Sequence, residues 1–173
     1  ITTTPVLEGI EAEIKGKRLS LKWEPQELLS NTTYRISLGD AIGDLNENNA
    51  YPNLQFVWST GHYIDSLSLQ GTIVPSKKTP FDKLNVWLIP AGTDTVSTPV
   101  FSGTPDKEGN FSFAYMPART FDVLVFEDVN FNGSWDWETE PFGMSKNHPT
   151  GMDSTPFTMP FFNSTFTTPE GPK

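Results

Sequence analysis

Cysteine is absent and histidine scarce, with only His62 and His148 in 173 residues. The first absence excludes disulfides, thiolate metal sites and a cysteine nucleophile, and it leaves the redox compartment open. The second leaves no imidazole pair at zinc spacing. Basic residues are few as well: 12 Lys and Arg against 21 Asp and Glu give a net charge of −9, spread along the chain rather than gathered in a tail. A surface of that sign repels phosphate backbones and anionic lipid, which argues against nucleic-acid binding, and it suits divalent cations. No apolar run approaches the roughly 18 to 20 residues of a membrane span. The opening ITTTPVLEG has neither the basic start nor the apolar core of a signal peptide, which points to a cytosolic chain or to one whose targeting segment has been removed. A sustained amphipathic helical pattern is missing too. Ser59, His62 and Asp65 are sequence neighbours, but a nucleophilic triad is made by geometry, and no GxSxG elbow accompanies them.

What is present is alternation. Ile10, Ala12 and Ile14 alternate with polar residues, Leu19, Leu21 and Trp23 repeat the period of two, and Lys15-Gly16-Lys17 between them predicts a hairpin turn. Tyr34, Ile36 and Leu38 share one face, and so do Leu54, Phe56 and Trp58. A second group of strands begins with Leu67, Leu69, Gly71 and Ile73. It continues through NVWLIP (85–90), PVFSG (99–103) and NFSFAY (110–115), where Phe111, Phe113 and Tyr115 are expected on one face. In FDVLVFE (121–127) Phe121, Val123 and Val125 face one way while Leu124 and Phe126 face the other, which predicts a strand buried on both sides. After Glu140, the prolines at 141, 149, 156, 160, 169 and 172 admit sheet only as edge segments. Phe157, Phe161, Phe162 and Phe166 are expected to pin that tail across a sheet. Many short strands divided by turn signals predict an all-β fold of two sandwich modules, residues 1–64 and 65–173.

The stretch with definite chemistry is EDVNFNGSWDWETE, residues 127–140. Asp128, Asn130, Asn132 and Gly133 occupy positions 1, 3, 5 and 6 of the spacing that wraps a hard cation in oxygen, and Asp136 stands at position 9. A Ca²⁺ ion takes about six to eight oxygens. The side chains of Asp128, Asn130, Asn132 and Asp136 with the Ser134 carbonyl would supply most of them, and Gly133 would take the sharp turn. Position 12, where a helix-loop-helix site carries a bidentate Glu, is Thr139. Glu138 or Glu140 would complete the shell of a loop that follows a strand instead. A solvated Asx-rich turn is the plain alternative. Phe131, Trp135 and Trp137 interleave with the ligand positions. They fold back over the sheet or, in the functional reading of Trp135 and Trp137, stack on sugar rings. Asp44, Asn46 and Asn48 echo the pattern, but Asn49 replaces the turn glycine, so that segment is read as an Asx-turn loop. Paired carboxylates for glycoside hydrolysis could be drawn from Glu127, Asp128, Glu138 and Glu140, and the cation reading uses the same groups more economically.

Three ordered blocks, NTTYRISLGDAIGDLNENN, FVWSTGHYIDSLSLQGTIV and GNFSFAYMPARTFDVLVFEDVNFNGSWD, resemble a family of bacterial envelope proteins frequent in Bacteroidetes. Those proteins carry an Ig-like domain of the S-layer type followed by a prealbumin-like sandwich of the transthyretin or Cna-B type. The resemblance implies that residues 1–64 form the C-terminal part of an Ig-like domain, whose earlier strands lie outside this chain, and that residues 65–173 form the prealbumin-like module. It also implies an exported protein, at the outer membrane, cell surface or periplasm, often a lipoprotein whose anchor lies outside this chain. Asp65-Ser66-Leu67, Asp94-Thr95-Val96 and Asp153-Ser154-Thr155 look like the short O-glycosylation signal of exported proteins in that group. The expected function is a non-enzymatic envelope or surface module, structural or adhesive, with a Ca²⁺-stabilised loop and with other envelope proteins or glycans as partners. The alternatives are a carbohydrate-binding module using the loop tryptophans and an accessory subunit of an outer-membrane assembly.

Overall fold

A computed structural model describes residues 1–7, 9–24, 28–38, 43, 54–76, 80–93, 100–152 and 155–161. The chain divides into two compact units, Ile1–Ser66 and Leu67–Lys173.

In the first unit the alternating segments become β1 (Thr2–Thr4), β2 (Glu11–Lys15), β3 (Arg18–Lys22), β4 (Thr33–Ser37) and β5 (Gln55–Ser59). β4 lies between β1 and β5, antiparallel to both. β2 and β3 form a separate hairpin in which Lys15 pairs with Arg18, so the turn is Gly16-Lys17. Tyr34, Ile36 and Leu38 are buried with Leu7, as their shared face predicts. Trp58 stacks on Tyr34 at 5.3 Å and Trp23 stacks on Trp58 at 5.6 Å, which ties the end of the hairpin to the sheet. Phe56 departs from expectation: it shares a strand face with Trp58 yet is 49% exposed. It sits on β5, an edge strand of this sheet, where cover comes from one side only. β1 gives no periodic signal because three threonines do not alternate. Thr is nonetheless β-branched and favours strand, and Thr3 and Thr4 are buried, with Thr3 Oγ1 accepting the Leu7 N–H at 2.8 Å.

The second unit is a two-sheet sandwich. Its strands are β6 (Leu67–Pro75), β7 (Leu84–Pro90), β8 (Phe101–Gly103), β9 (Asn110–Met116), β10 (Thr120–Glu127), β11 (Phe142–Pro149) and β12 (Phe157–Phe161), with a 3-10 turn at Phe81–Lys83. One sheet runs β11-β10-β7-β8 and the other β12-β6-β9. Every pairing is antiparallel except that of β12 with β6. Leu84, Val86, Leu88, Phe121, Val123 and Val125 from the first sheet meet Leu69, Ile73, Phe111, Phe113, Met159 and Phe161 from the second. Burying each such side chain stabilises by about 1.5–3 kcal/mol.

The other face of β7 and β10 carries Trp87, Ile89, Leu124 and Phe126, a second buried cluster. β10 is therefore covered on both sides, as its sequence predicts. β11 and β12, which carry Pro149 and Pro160, both occupy sheet edges, where a missing N–H is tolerated. Phe161 is in the core and Phe157 packs against it. Phe162 and Phe166 lie outside the described residues, as does the Asp44, Asn46 and Asn48 segment.

Tyr115 corrects a sequence expectation. Leu67 pairs with Met116 but Ser68 pairs with Ala114, so the β9 ladder carries one extra residue at Tyr115. Its φ of 59° accommodates the bulge and turns the ring outward, 37% exposed, while Met116 enters the core in its place. Among the described residues no helix is long and apolar enough to cross a membrane.

Candidate functional site

Residues 128–141 connect β10 to β11, two neighbouring strands that pair at Phe126 and Phe142 beside the loop. The Glu127 N–H donates to Pro141 O at 2.9 Å and closes the neck of the loop. The Asp128 N–H donates to Lys83 O at 3.0 Å, so the loop starts from a fixed point on the turn before β7. A buried two-sided strand thus holds the first candidate ligand in place.

Asp128 is 6% exposed and Glu140 1% exposed. The Asp128 carboxylate accepts the backbone N–H of Asn132 at 3.2 Å and of Gly133 at 2.9 Å, and the side-chain amide of Asn85 at 3.4 Å. Asn130 Oδ1 accepts the Asn132 N–H at 3.0 Å, and Asn132 Oδ1 accepts the Ser134 N–H at 2.8 Å. Asp136 Oδ2 accepts the amide Nδ2 of Asn130 at 2.6 Å and of Asn132 at 3.1 Å. Glu140 takes the Val129 N–H on Oε1 at 2.8 Å and the Asp136 N–H on Oε2 at 3.0 Å. Asp128, Asn130, Asn132, Asp136 and Glu140 are thereby brought into one network. Glu138 and Ser134 are exposed and contribute no side-chain bond to it among the described residues.

Each of these carbonyl and carboxylate oxygens has two lone pairs. A backbone N–H on one leaves the other for a hard cation. Among the described residues the salt bridges are Lys15–Glu13 and Lys22–Glu13, and none engages Asp128, Asp136 or Glu140. The nearby cation, Lys83, stands 6.0 Å over the Phe131 ring instead. No three Asp, Glu, His or Cys side chains gather at metal-binding separation among the described residues. Glu140 accepts one backbone N–H on each oxygen, as Asn130 and Asn132 do on their amide oxygens, so each of these oxygens keeps a second lone pair. A full shell would draw on them together with Asp128, Asp136 and the Ser134 carbonyl. That donor set, all oxygen, fits Ca²⁺ rather than a thiophilic or imidazole-seeking metal.

The two loop tryptophans part company. Trp135 packs on Phe142 at 4.8 Å and joins the outer cluster on β7 and β10 as a lid. Its Nε1–H is buried without an acceptor among the described residues. Trp137 is 52% exposed, and Phe131 and Val129 are 73% and 57% exposed. Phe131 holds a φ of 59°, and Gly133 one of 73°.

His62 is exposed, while Ser59 Oγ accepts the Gly61 N–H and the Asp65 N–H goes to Thr33 Oγ1, so these neighbours assemble no triad. A pairing that sequence reasoning missed is Ser145 Oγ with His148 Nε2, 2.7 Å apart on β11. The His148 ring also lies on Phe157 of β12 at 3.6 Å and 17°. Burial holds the imidazole below its ordinary pKa of 6.5, and the charge of Asp122 opposes that in part. Asp122 Oδ1 itself accepts the Asn147 N–H, at a point where β11 carries an extra residue and Asn147 adopts a φ of 63°. Two surface grooves, of about 540 and 290 Å³, flank Gln70 on β6 and share no residue with the loop. Asp94–Val96, Asp153 and Ser154 lie outside the described residues, and Ser66 is exposed.

Comparison of the chain with protein-family models, with curated proteins and with solved structures finds no match.

Proposed function

We propose that the chain is a non-enzymatic surface or cell-envelope module of an exported protein, in which the 128–140 loop is stiffened by Ca²⁺ and serves a structural or adhesive role. The observation that carries the cation is the pair of buried carboxylates, Asp128 and Glu140, whose hydrogen-bond partners are neutral N–H groups. Burying charge without a counter-charge is costly, and a cation beside Asp128 and Asp136 would offset it. The envelope location rests on the sequence resemblance, including its Ig-like and prealbumin-like modules, and on the acidic two-unit β organisation. Other envelope proteins or glycans are its partners in this reading.

The test is thermal unfolding of the chain in EDTA and in excess Ca²⁺, with Asp128→Ala alongside. A ligand that binds only the folded state stabilises it by about 2.7 kcal/mol at one hundred times its Kd. A calcium-dependent rise in Tm is expected, and it disappears in the variant. Equal Tm values in both buffers would reduce the loop to an Asx-rich turn.

A second reading, a carbohydrate-binding module, is favoured by the exposure of Trp137. It relies on Trp137 rather than Trp135, whose ring is already used as cover. Glycan-induced quenching of tryptophan fluorescence that is lost in Trp137→Ala and kept in Trp135→Phe would support it.

A further inference from the structure

Asn132-Gly133 is the only Asn-Gly pair in the chain. Both residues are exposed, and a Cβ at Gly133 would meet nothing within 4 Å. In such a pair the Gly133 nitrogen can attack Cγ of Asn132. The new N–Cγ bond closes a succinimide as the Cγ–Nδ2 bond breaks. Ammonia departs with the proton that Gly133 gives up, and one water then opens the ring to aspartate or isoaspartate at 132. A glycine at the second position removes the side chain that would hinder that approach.

The folded loop holds the attacking nitrogen and both polar atoms of the Asn132 amide. The Gly133 N–H is donated to Asp128 Oδ2 at 2.9 Å, which places a negative charge against a nitrogen that would have to lose its proton. Asn132 Oδ1 is held by the Ser134 N–H at 2.8 Å, and Nδ2 is held by Asp136 Oδ2 at 3.1 Å, so the amide cannot swing to present Cγ. Asn132 is pinned a third time, through its own N–H to Asp128 and Asn130.

We propose that Asn132-Gly133 is a latent deamidation site that the Asp128 and Asp136 network guards, and that opening the loop converts Asn132 irreversibly to a carboxylate. The product places a new negative charge at the centre of the loop, and the isoaspartate form also adds a backbone carbon there. Resting on the calcium reading, the aspartate form raises the ligand charge available to the ion, whereas the isoaspartate form breaks the spacing of the donors.

The experiment is prolonged incubation of the full chain in mildly alkaline buffer with EDTA, followed by proteolysis and mass spectrometry of the asparagine-containing peptides. Asn110 and Asn147, outside the loop, serve as internal references. In the folded wild type Asn132 is expected to deamidate slowly. In urea-unfolded chain it is expected to outpace the reference asparagines. In Asp128→Ala and Asp136→Ala the folded rate at Asn132 is expected to rise several-fold with the references unchanged, and far-UV circular dichroism and melting confirm that the variants remain folded. Should either variant fail to fold, amide hydrogen exchange at Gly133 in the wild type, compared with the Asn132 rate across sub-denaturing urea, takes its place, and the two are expected to rise together. The proposal is overturned if Asn132 reacts no faster than Asn147 in the unfolded chain, or if neither opening the loop nor removing Asp128 changes its rate. Calcium separates the two readings. If added Ca²⁺ leaves both Tm and the guarded rate unchanged, the cation is lost while the guarded site stands. If Ca²⁺ raises Tm but Asn132 shows no dependence on the loop, the cation stands and the guarded site is lost.

Discussion

Glu140 reaches back across its loop to Val129, accepting that residue's N–H on Oε1 at 2.8 Å while Oε2 takes the Asp136 N–H at 3.0 Å. The side chain is almost fully buried, and the two hydrogen bonds it accepts are part-buried. A hydrogen bond to a charged group contributes about 1.5–3 kcal/mol, and part-exposed donors that can turn to water lose less. Glu140→Ala is therefore expected to lower unfolding free energy by about 1–3 kcal/mol in all. Glu140→Gln, with one carbonyl oxygen in place of two carboxylate oxygens, should fall between. Urea denaturation of the three proteins checks the order; equal midpoints would show that the loop closes without this carboxylate.

Gly71 lies between Phe111 on β9 and Phe157 on β12, its cross-strand partners. A Cβ there would come within 2.5 Å of Phe111 Cζ and 3.1 Å of Phe157 Cε1. Gly71→Ala should destabilise by about 1–3 kcal/mol through overpacking. Adding Phe111→Leu should then cost less than it does in the wild-type background, a coupling that a double-mutant cycle reads directly. Additive losses would place the strain elsewhere.

His148 gives the fold an acid-sensitive contact at its β11 and β12 edges. Burial lowers its pKa from the ordinary 6.5, so the folded state prefers the neutral ring. The unfolded chain takes up the proton first as pH falls, and linkage then favours unfolding. Stability is expected to be level with respect to this group above about pH 7 and to decline as pH drops through the ordinary value toward the lowered one. In His148→Phe, which keeps a ring on Phe157 and removes the titration, that part of the pH profile should flatten. A slope identical to that of the wild type would assign the acid response to carboxylates instead.

Trp135 and Trp137 should separate by experiment as they do in space. Trp135→Ala uncovers the cluster around Trp87 and Phe126 and is expected to cost about 2 kcal/mol or more. Trp135→Phe keeps the cover and removes an indole N–H that has no acceptor among the described residues, so it should be neutral or slightly stabilising. Trp137→Ala should stay within about 0.5 kcal/mol of wild type, as surface changes do. A large loss from Trp137→Ala in chemical denaturation would contradict its exposed position.

Alternation carried much of this architecture into view before the structure. FDVLVFE announces burial on both sides because apolar residues occupy both phases of the period, and the Asp128, Asn130, Asn132, Asp136 spacing marks a loop in which oxygens converge on one network. Tyr115 escaped because a bulge shifts the phase by one residue without changing the pattern of residue types. β1 escaped because a run of threonines has no phase. The roles of Glu140 and Trp135 depend on where a loop returns to the sheet, a long-range fact with no local signature. The Ser145 and His148 contact likewise exists only because Asn147 turns through positive φ between them.

The parallel seating of β12 beside β6 has a mechanical consequence. Tension that enters the second unit at Leu67 and leaves at Phe161 pulls these two strands past one another along their length, since Phe157 pairs with Gly71 and Phe161 with Pro75. All the hydrogen bonds between them then bear load together in shear, rather than opening one at a time as in a peeled hairpin. The sandwich is built to resist being stretched through those two points.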